Sequence, residues 1–332
     1  NSATLYRDLK QNDKALDTYQ QVLKLAQGSS DRGLQSTALS NLGELYGAIG
    51  QADKAVDAYQ QLLKLARDGK DRALEGQALN DLGSLYRKAG QKDKALDAYQ
   101  QVVAIAQELG SHALEQTTLA NIGGVYGDLG QYDQAISAYQ KVLTAAKDSN
   151  NQPLLASTQY NLGLLYRSLG QYDQVFNFYQ QALQIWQAAG DHNGAAQTLL
   201  GMGAAYNELG RFEQALPLYQ QALKLYQDAK DSANLMVTFN QMGATYQTMG
   251  NYEKAADTFQ QAAALVNQSN SPALASETYL GLGKAYRSLQ KPDSALAFYQ
   301  QALTAQQKLS DKLGEANALN NLGVLFSDLN PA

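Results

Sequence analysis

The sequence repeats every 40 residues, without insertion or deletion, along its 332-residue length. A chain of that kind folds as a row of similar small units and not as one or two globular domains. Gly43, Gly83, Gly123, Gly163, Gly203, Gly243, Gly283 and Gly323 share one column, each preceded by Leu, Ile or Met. Three residues on stand Tyr6, Tyr46, Tyr86, Tyr126, Tyr166, Tyr206, Tyr246 and Tyr286, with Phe326 closing the column. Tyr19, Tyr59, Tyr99, Tyr139, Tyr179, Tyr219, Phe259 and Tyr299 form a second aromatic column, four residues after a small residue such as Ala55 or Ala95. The two columns take 15 of the 21 tyrosines, which assigns the tyrosine content to packing and not to a ligand-stacking platform.

Inside each unit the apolar residues fall at helical spacing. Leu39, Leu42, Gly43, Tyr46 and Ile49 make one stripe, and Ala55, Tyr59, Leu62, Leu63 and Ala66 another, so two amphipathic helices per unit follow. The first helix begins after Asp31, Asp71, Ser111, Asn151, Asp191, Asp231, Ser271 or Asp311, side chains that accept from free backbone N–H groups. It ends at Gly50, Gly90, Gly130, Gly170, Gly210 or Gly250, where a left-handed residue is wanted. The second helix starts near Asp53, Asp93, Asp133, Asp173 or Glu213, which suits the helix dipole.

The stretch from Ala38 to Ala66, ALSNLGELYGAIGQADKAVDAYQQLLKLA, resembles the tetratricopeptide repeat: Leu, two residues, Leu-Gly, two residues, Tyr, then Ala and an aromatic four further on. HEAT and armadillo repeats lack these paired columns. The resemblance covers essentially the whole chain, and the six residues beyond the usual 34 place it near the long-repeat subgroup of kinesin light chain. Spindle-orientation adaptors and the bacterial arrays that precede CHAT-type protease domains share that layout, and Ser310 to Phe326 look most like the bacterial arrays.

The resemblance implies an all-α fold, a right-handed α-solenoid, or superhelix, of tandem helix-turn-helix units, with first helices lining the concave side. It implies one continuous array over residues 1–332: a partial first helix over 1–10, about eight 40-residue repeats, and a final unpaired helix over 313–329. It places ligands on a stripe beside the core stripe, in the columns of Thr37, Ser40, Asn41, Glu44, Gly47 and Ala48. The column of Asn41 continues through Asp81, Asn121, Asn161, Gly201, Gln241, Gly281 and Asn321. A ladder of amides, each both donor and acceptor, suits the backbone of an extended peptide. The column of Gly47 carries Arg7, Arg87, Arg167 and Arg287, whose forks suit a carboxylate and hence an acidic segment or a chain terminus. Asn capping neighbouring turns and Arg solvating helix ends are the competing readings. Later groove positions become smaller and more apolar, with Tyr160, Leu164, Leu200 and Ala204, as drift in a tolerant repeat or as a fit to a partner apolar at one end.

Composition bounds the rest. With no Cys, disulfides, Cys-ligated metals and thiol catalysis are excluded. A formal charge of -5 argues against a nucleic-acid partner, and no apolar run reaches the length of a membrane span. His112 and His192 stand 80 residues apart and read as solvated first-turn residues, so neither metal nor cofactor is expected. No constellation supports catalysis. The expected role is a non-enzymatic scaffold for a protein or peptide, in the cytoplasm or a Cys-poor bacterial envelope. The alternatives are a regulatory arm of a larger protein and a self-association device built from the terminal helices. Asn1 aligns with Asn41, which leads us to expect further sequence upstream. Pro217 is expected to cost its helix a hydrogen bond and bend it. Val175, with Phe176 and Phe178, and Pro292, with Gln290, mark further departures from the repeat.

Overall fold

The computed structural model describes residues 5–7, 9 and 11–329. They form helices and, among the described residues, no strand. The chain divides into two compact units, one up to Thr158 and one from Gln159 onward.

In the first unit the second helices are α1 (Asn12–Gly28), α3 (Ala52–Gly69), α5 (Lys92–Glu108) and α7 (Tyr132–Asp148). The first helices are α2 (Arg32–Ala48), α4 (Arg72–Lys88), α6 (His112–Asp128) and the start of α8 (Gln152–Ser168). Of the partial helix expected over 1–10, residues 5–7 are helical, and residues 1–4, 8 and 10 lie outside the described residues. In the second unit the first helices are the rest of α8, α10 (His192–Glu208), α12 (Ser232–Thr248), α15 (Pro272–Ser288) and α17 (Lys312–Leu329). Its second helices are α9 (Tyr172–Ala189), α11 (Phe212–Asp228), α13 (Tyr252–Ala263) with the short α14 (Val266–Ser269), and α16 (Pro292–Leu309).

The local signals explain these boundaries. Asp31 and Asp71 accept from the backbone N–H of Leu34 and Leu74 at 3.0 Å, and Asp191 from Gly194 at 2.8 Å, each cap stabilising its helix by about 1 kcal/mol. Ser111, in the same column, makes no such bond. Gly50 has φ +79°, with Gln51 N–H donating to Tyr46 C=O at 2.8 Å and Gly50 N–H to Gly47 C=O at 3.3 Å. Those two bonds make a Schellman closure. Asp53 sits in the first turn of α3, as its column required. A second left-handed column, which the sequence marks with glycine only at Gly110 and Gly190, ends the second helices and includes Lys70, Asn150 and Lys230.

The glycine column answers the second aromatic column. A Cβ at Gly43 would stand 2.7 Å from the Tyr59 ring, and one at Gly203 2.5 Å from that of Tyr219. From Gly43 to Gly283 the bare backbone of the first helix therefore receives the aromatic ring of the helix that follows it. Tyr99, Tyr179, Tyr219 and Tyr299 are almost wholly buried there, and burying a large apolar ring stabilises by about 2 kcal/mol or more. Gly323, in the last helix, has nothing within 4 Å, and Leu313, Leu319 and Phe326 beside it are exposed.

Pro217 lies inside α11, which runs on through it; a separate interruption, at Ala264 and Leu265, falls between α13 and α14. Val175 is buried, while Phe176 stacks on Tyr206 and Phe178 on Tyr166 at centroid distances of 4.2 and 5.4 Å. Pro292 occupies the first position of α16, where its missing N–H costs nothing.

Candidate functional site

First helices of adjacent repeats meet along the columns that the sequence marks as a ligand stripe. Asn121 Nδ2 donates to Asn80 Oδ1 at 3.4 Å in the first unit. In the second unit Thr245 Oγ1 donates to Asn207 Oδ1, and Gln247 Nε2 to the Gly281 carbonyl, both at 2.9 Å. Among the described residues these bonds join α4 to α6 in the first unit and α10, α12 and α15 in the second.

The amides on that stripe differ in what they have left to offer. Asn41 Nδ2 bonds the Thr37 carbonyl at 2.7 Å, and Asn321 Nδ2 the Asn317 carbonyl at 2.8 Å, each within its own helix. Asn161 and Gln241, both half-buried, make no side-chain hydrogen bond among the described residues. The small residues Gly201 and Gly281 have a packing cause. Tyr179 lies between Gly163 and Gly201, and Phe259 between Gly243 and Gly281, so that a Cβ at Gly281 would stand 2.5 Å from the Phe259 ring. Tyr160 also packs, stacking on Tyr179 at 5.4 Å.

The arginine forks do meet carboxylates, and these are the chain's own. Arg87 Nε bonds Asp128 Oδ2 at 2.6 Å, Arg167 Nη2 bonds Glu208 Oε1 at 2.5 Å, and Arg287 Nε bonds Asp328 Oδ2 at 2.6 Å. Arg7 Nη1 reaches Glu44 Oε2 at 2.9 Å. The sequence carried this signal in its period. Each of Arg87, Arg167 and Arg287 has an acid 41 residues on, whereas Gly47, Gly127, Asn207 and Gln247 have Lys88, Ser168, Thr248 and Ser288 there. The guanidinium of Arg87 also lies over the bare backbone of Gly124.

Two carboxylates on the face have no ion partner among the described residues. Asp81 is half-buried, and desolvation, with a smaller contribution from the charge of Glu44, pushes its carboxyl up to about 6. Crowding by the surrounding helices pushes the Glu277 carboxyl above its usual range, against the opposing effect of the Asn240 amide. Asn240 is itself buried, accepting from Thr278 Oγ1 at 2.9 Å, with its amide turned to Glu277.

His112 lies 3.9 Å from Glu115 and is well exposed. Among the described residues no group of three or more His, Asp or Glu side chains is placed to hold a metal ion. No described helix is long and apolar enough to cross a membrane.

Helix pairs whose glycine column seats the next helix's aromatic column define a helix-pair solenoid. Tetratricopeptide repeat profiles match residues 1–68, 114–188, 154–228, 194–268, 231–308 and 274–330, and a second profile of the same description matches residues 40–109. The chain belongs to the tetratricopeptide repeat family. No curated protein matches it. Among solved structures it is similar to BtubC (BKLC) from P. vanneervenii, with 21% identity and a TM-score of 0.58, over 66% of this chain and 92% of that one. The Rap conjugation gene regulator of the plasmid pLS20, solved in complex with the Phr* peptide, shares 16% identity at a TM-score of 0.60, over 86% and 77%. The apo form of the quorum sensor NprR from B. thuringiensis shares 17% at 0.58, over 98% and 100%. At these identities the likeness carries the all-α solenoid fold.

Proposed function

We propose that the chain is a non-enzymatic scaffold whose repeats act as one continuous array and hold an extended segment of a partner protein along the first-helix face. The observation that carries this reading is the pair of uncommitted amides, Asn161 and Gln241, on a face whose other polar groups are largely paired. A carboxamide presents a donor and an acceptor side by side, which matches the backbone of an extended chain whatever its side chains. The pLS20 Rap regulator, of the same fold, was solved with a peptide bound, which supports a polypeptide ligand here. Because the arginines hold internal carboxylates while Asp81 and Glu277 have no cationic partner among the described residues, a neutral or basic segment fits this face better than an acidic one.

The test is selection from a displayed peptide library on the full chain and on an Asn161→Ala/Gln241→Ala variant. Arg167 is left unaltered, since removing it would strand Glu208 and disturb the joint between repeats. Peptides retained by the parent and lost by a variant of unchanged helicity support the reading. Equal retention by both places the ligand elsewhere and overturns it.

A further inference from the structure

The tyrosines of the first helices are covered in a recurring way. Lys14, Lys54, Lys94 and Lys254 hold Nζ over the rings of Tyr6, Tyr46, Tyr86 and Tyr246 at 5.6, 5.5, 5.5 and 5.7 Å. Gln20 and Gln60 donate to the hydroxyls of Tyr46 and Tyr86 at 2.7 and 3.4 Å. Tyr286 has both kinds of cover, Lys291 at 6.0 Å and Gln260 on its hydroxyl, while Tyr166 and Tyr206 have stacked phenylalanines. Among the described residues Tyr126 has none of these. The position of the covering lysine is Gln134, and Gln100, the counterpart of Gln20 and Gln60, leaves the Tyr126 hydroxyl without a hydrogen bond to any described residue.

Where that cover is missing the structure has a cavity of about 490 Å³ between α5, α6 and α7. Val103, Leu119, Ile122 and the Tyr126 ring line it, with Asp133 and Lys141 among its polar lining residues. It shares no residue with the first-helix face. An apolar slot of that size suits an aliphatic stem, and an exposed aromatic face attracts a cation.

We infer that this cavity binds a lysine or arginine side chain of a partner polypeptide, its stem on Val103, Leu119 and Ile122 and its cationic head over Tyr126. The incoming side chain takes the place that the chain's own lysine fills in four other repeats. Asp133 makes no ion pair among the described residues and its charge attracts the head. Lys141 opposes it, standing where Gln61, Gln101 and Gln181 stand in other repeats, so ring and carboxylate together must outweigh one lysine.

The experiment titrates the full chain, with ring-labelled tyrosine, with two peptides, acetyl-Ala-Lys-Ala-amide and its norleucine analogue, followed by NMR. The lysine peptide is expected to shift the Tyr126 signal and to bind at least about threefold tighter than the norleucine peptide, the scale of an exposed cation–π contact. Gln134→Lys supplies the residue found in the other repeats, so the fold is kept, and it is expected to abolish the shift. Lys141→Gln is expected to tighten binding. Equal affinity for the two peptides, or undiminished binding by Gln134→Lys, overturns the assignment.

Discussion

Arg167 donates from Nε to both carboxylate oxygens of Glu208 at 3.0 Å, tying the first helix of one repeat to that of the next. Tyr172 adds its hydroxyl to the same carboxylate at 3.2 Å. Half-exposed pairs contribute about 0.5–1 kcal/mol, and this forked geometry belongs at the upper end. A double-mutant cycle of Arg167→Gln and Glu208→Gln, followed by urea unfolding, should give a coupling of about 1 kcal/mol that falls by about half or more in 1 M salt. A coupling indistinguishable from zero would mean that the pair does not hold the repeats together and that Arg167 is free for a ligand.

The glycine column has two kinds of member, and they should respond to alanine with opposite sign. At Gly203 the new methyl would stand 2.5 Å from the buried Tyr219 ring, an overpacking that costs about 1–3 kcal/mol. At Gly323 nothing lies within 4 Å, so the same change only removes the helical penalty of glycine and should stabilise α17 by about 0.5–1 kcal/mol. Melting temperatures of Gly203→Ala and Gly323→Ala check both signs. A drop at Gly323 would show that its backbone is contacted.

The two columns also show how far the sequence could be read. Gly43 and Tyr59 stand in columns that recur along the chain, so the helix pair was legible from the sequence, whereas the seating of the ring on the bare glycine backbone emerges only in the structure. Asp31 and Gly50 gave the helix ends for the same reason, because a cap depends only on its neighbours. The ligand stripe was less legible. Asn41, Asn121 and Asn161 look alike in sequence, yet only Asn161 leaves its amide free, and that depends on which carbonyl or amide of the same or the adjacent helix lies within reach. The arginine pairs needed a comparison at a separation of 41 residues, one more than the period. The break at Ala264 and Leu265 carries no glycine or proline to announce it.

Asp81 should make the fold pH-dependent in an unusual direction. Its carboxyl rises from 3.8 to about 6 on folding, so between those values the folded chain holds the proton more tightly than the unfolded one. The contribution of Asp81 to stability therefore falls as pH rises from about 4 to about 6, and the charged group destabilises above that window. A rise of that size corresponds to about 3 kcal/mol, which partial solvent exposure reduces to about 1 kcal/mol. Asp81→Asn, which restores the residue of Asn41 and Asn121, should gain about that much at pH 7 and nothing at pH 3.5. Urea unfolding across pH checks it, and a gain that does not change with pH would rule out titration of Asp81 as the cause.

The turn between α15 and α16 puts Gln290 at φ +56°, where the equivalent turns place Gly50 at +79° and Gly250 at +74°. An L-residue in the left-handed region costs about 1 kcal/mol or more, because its Cβ crowds the neighbouring carbonyl. Glycine escapes that cost but gains freedom in the unfolded chain, which offsets part of the benefit. Gln290→Gly should therefore stabilise by only about 0.5 kcal/mol, and Gly250→Ala, which creates the same strain but removes glycine's unfolded-state freedom, should destabilise by about as much. Urea midpoints of the two variants measure the balance directly. Were both changes neutral, the turn would be adapting its backbone to the residue it carries, and the glycine column would owe its regularity to something other than the left-handed conformation.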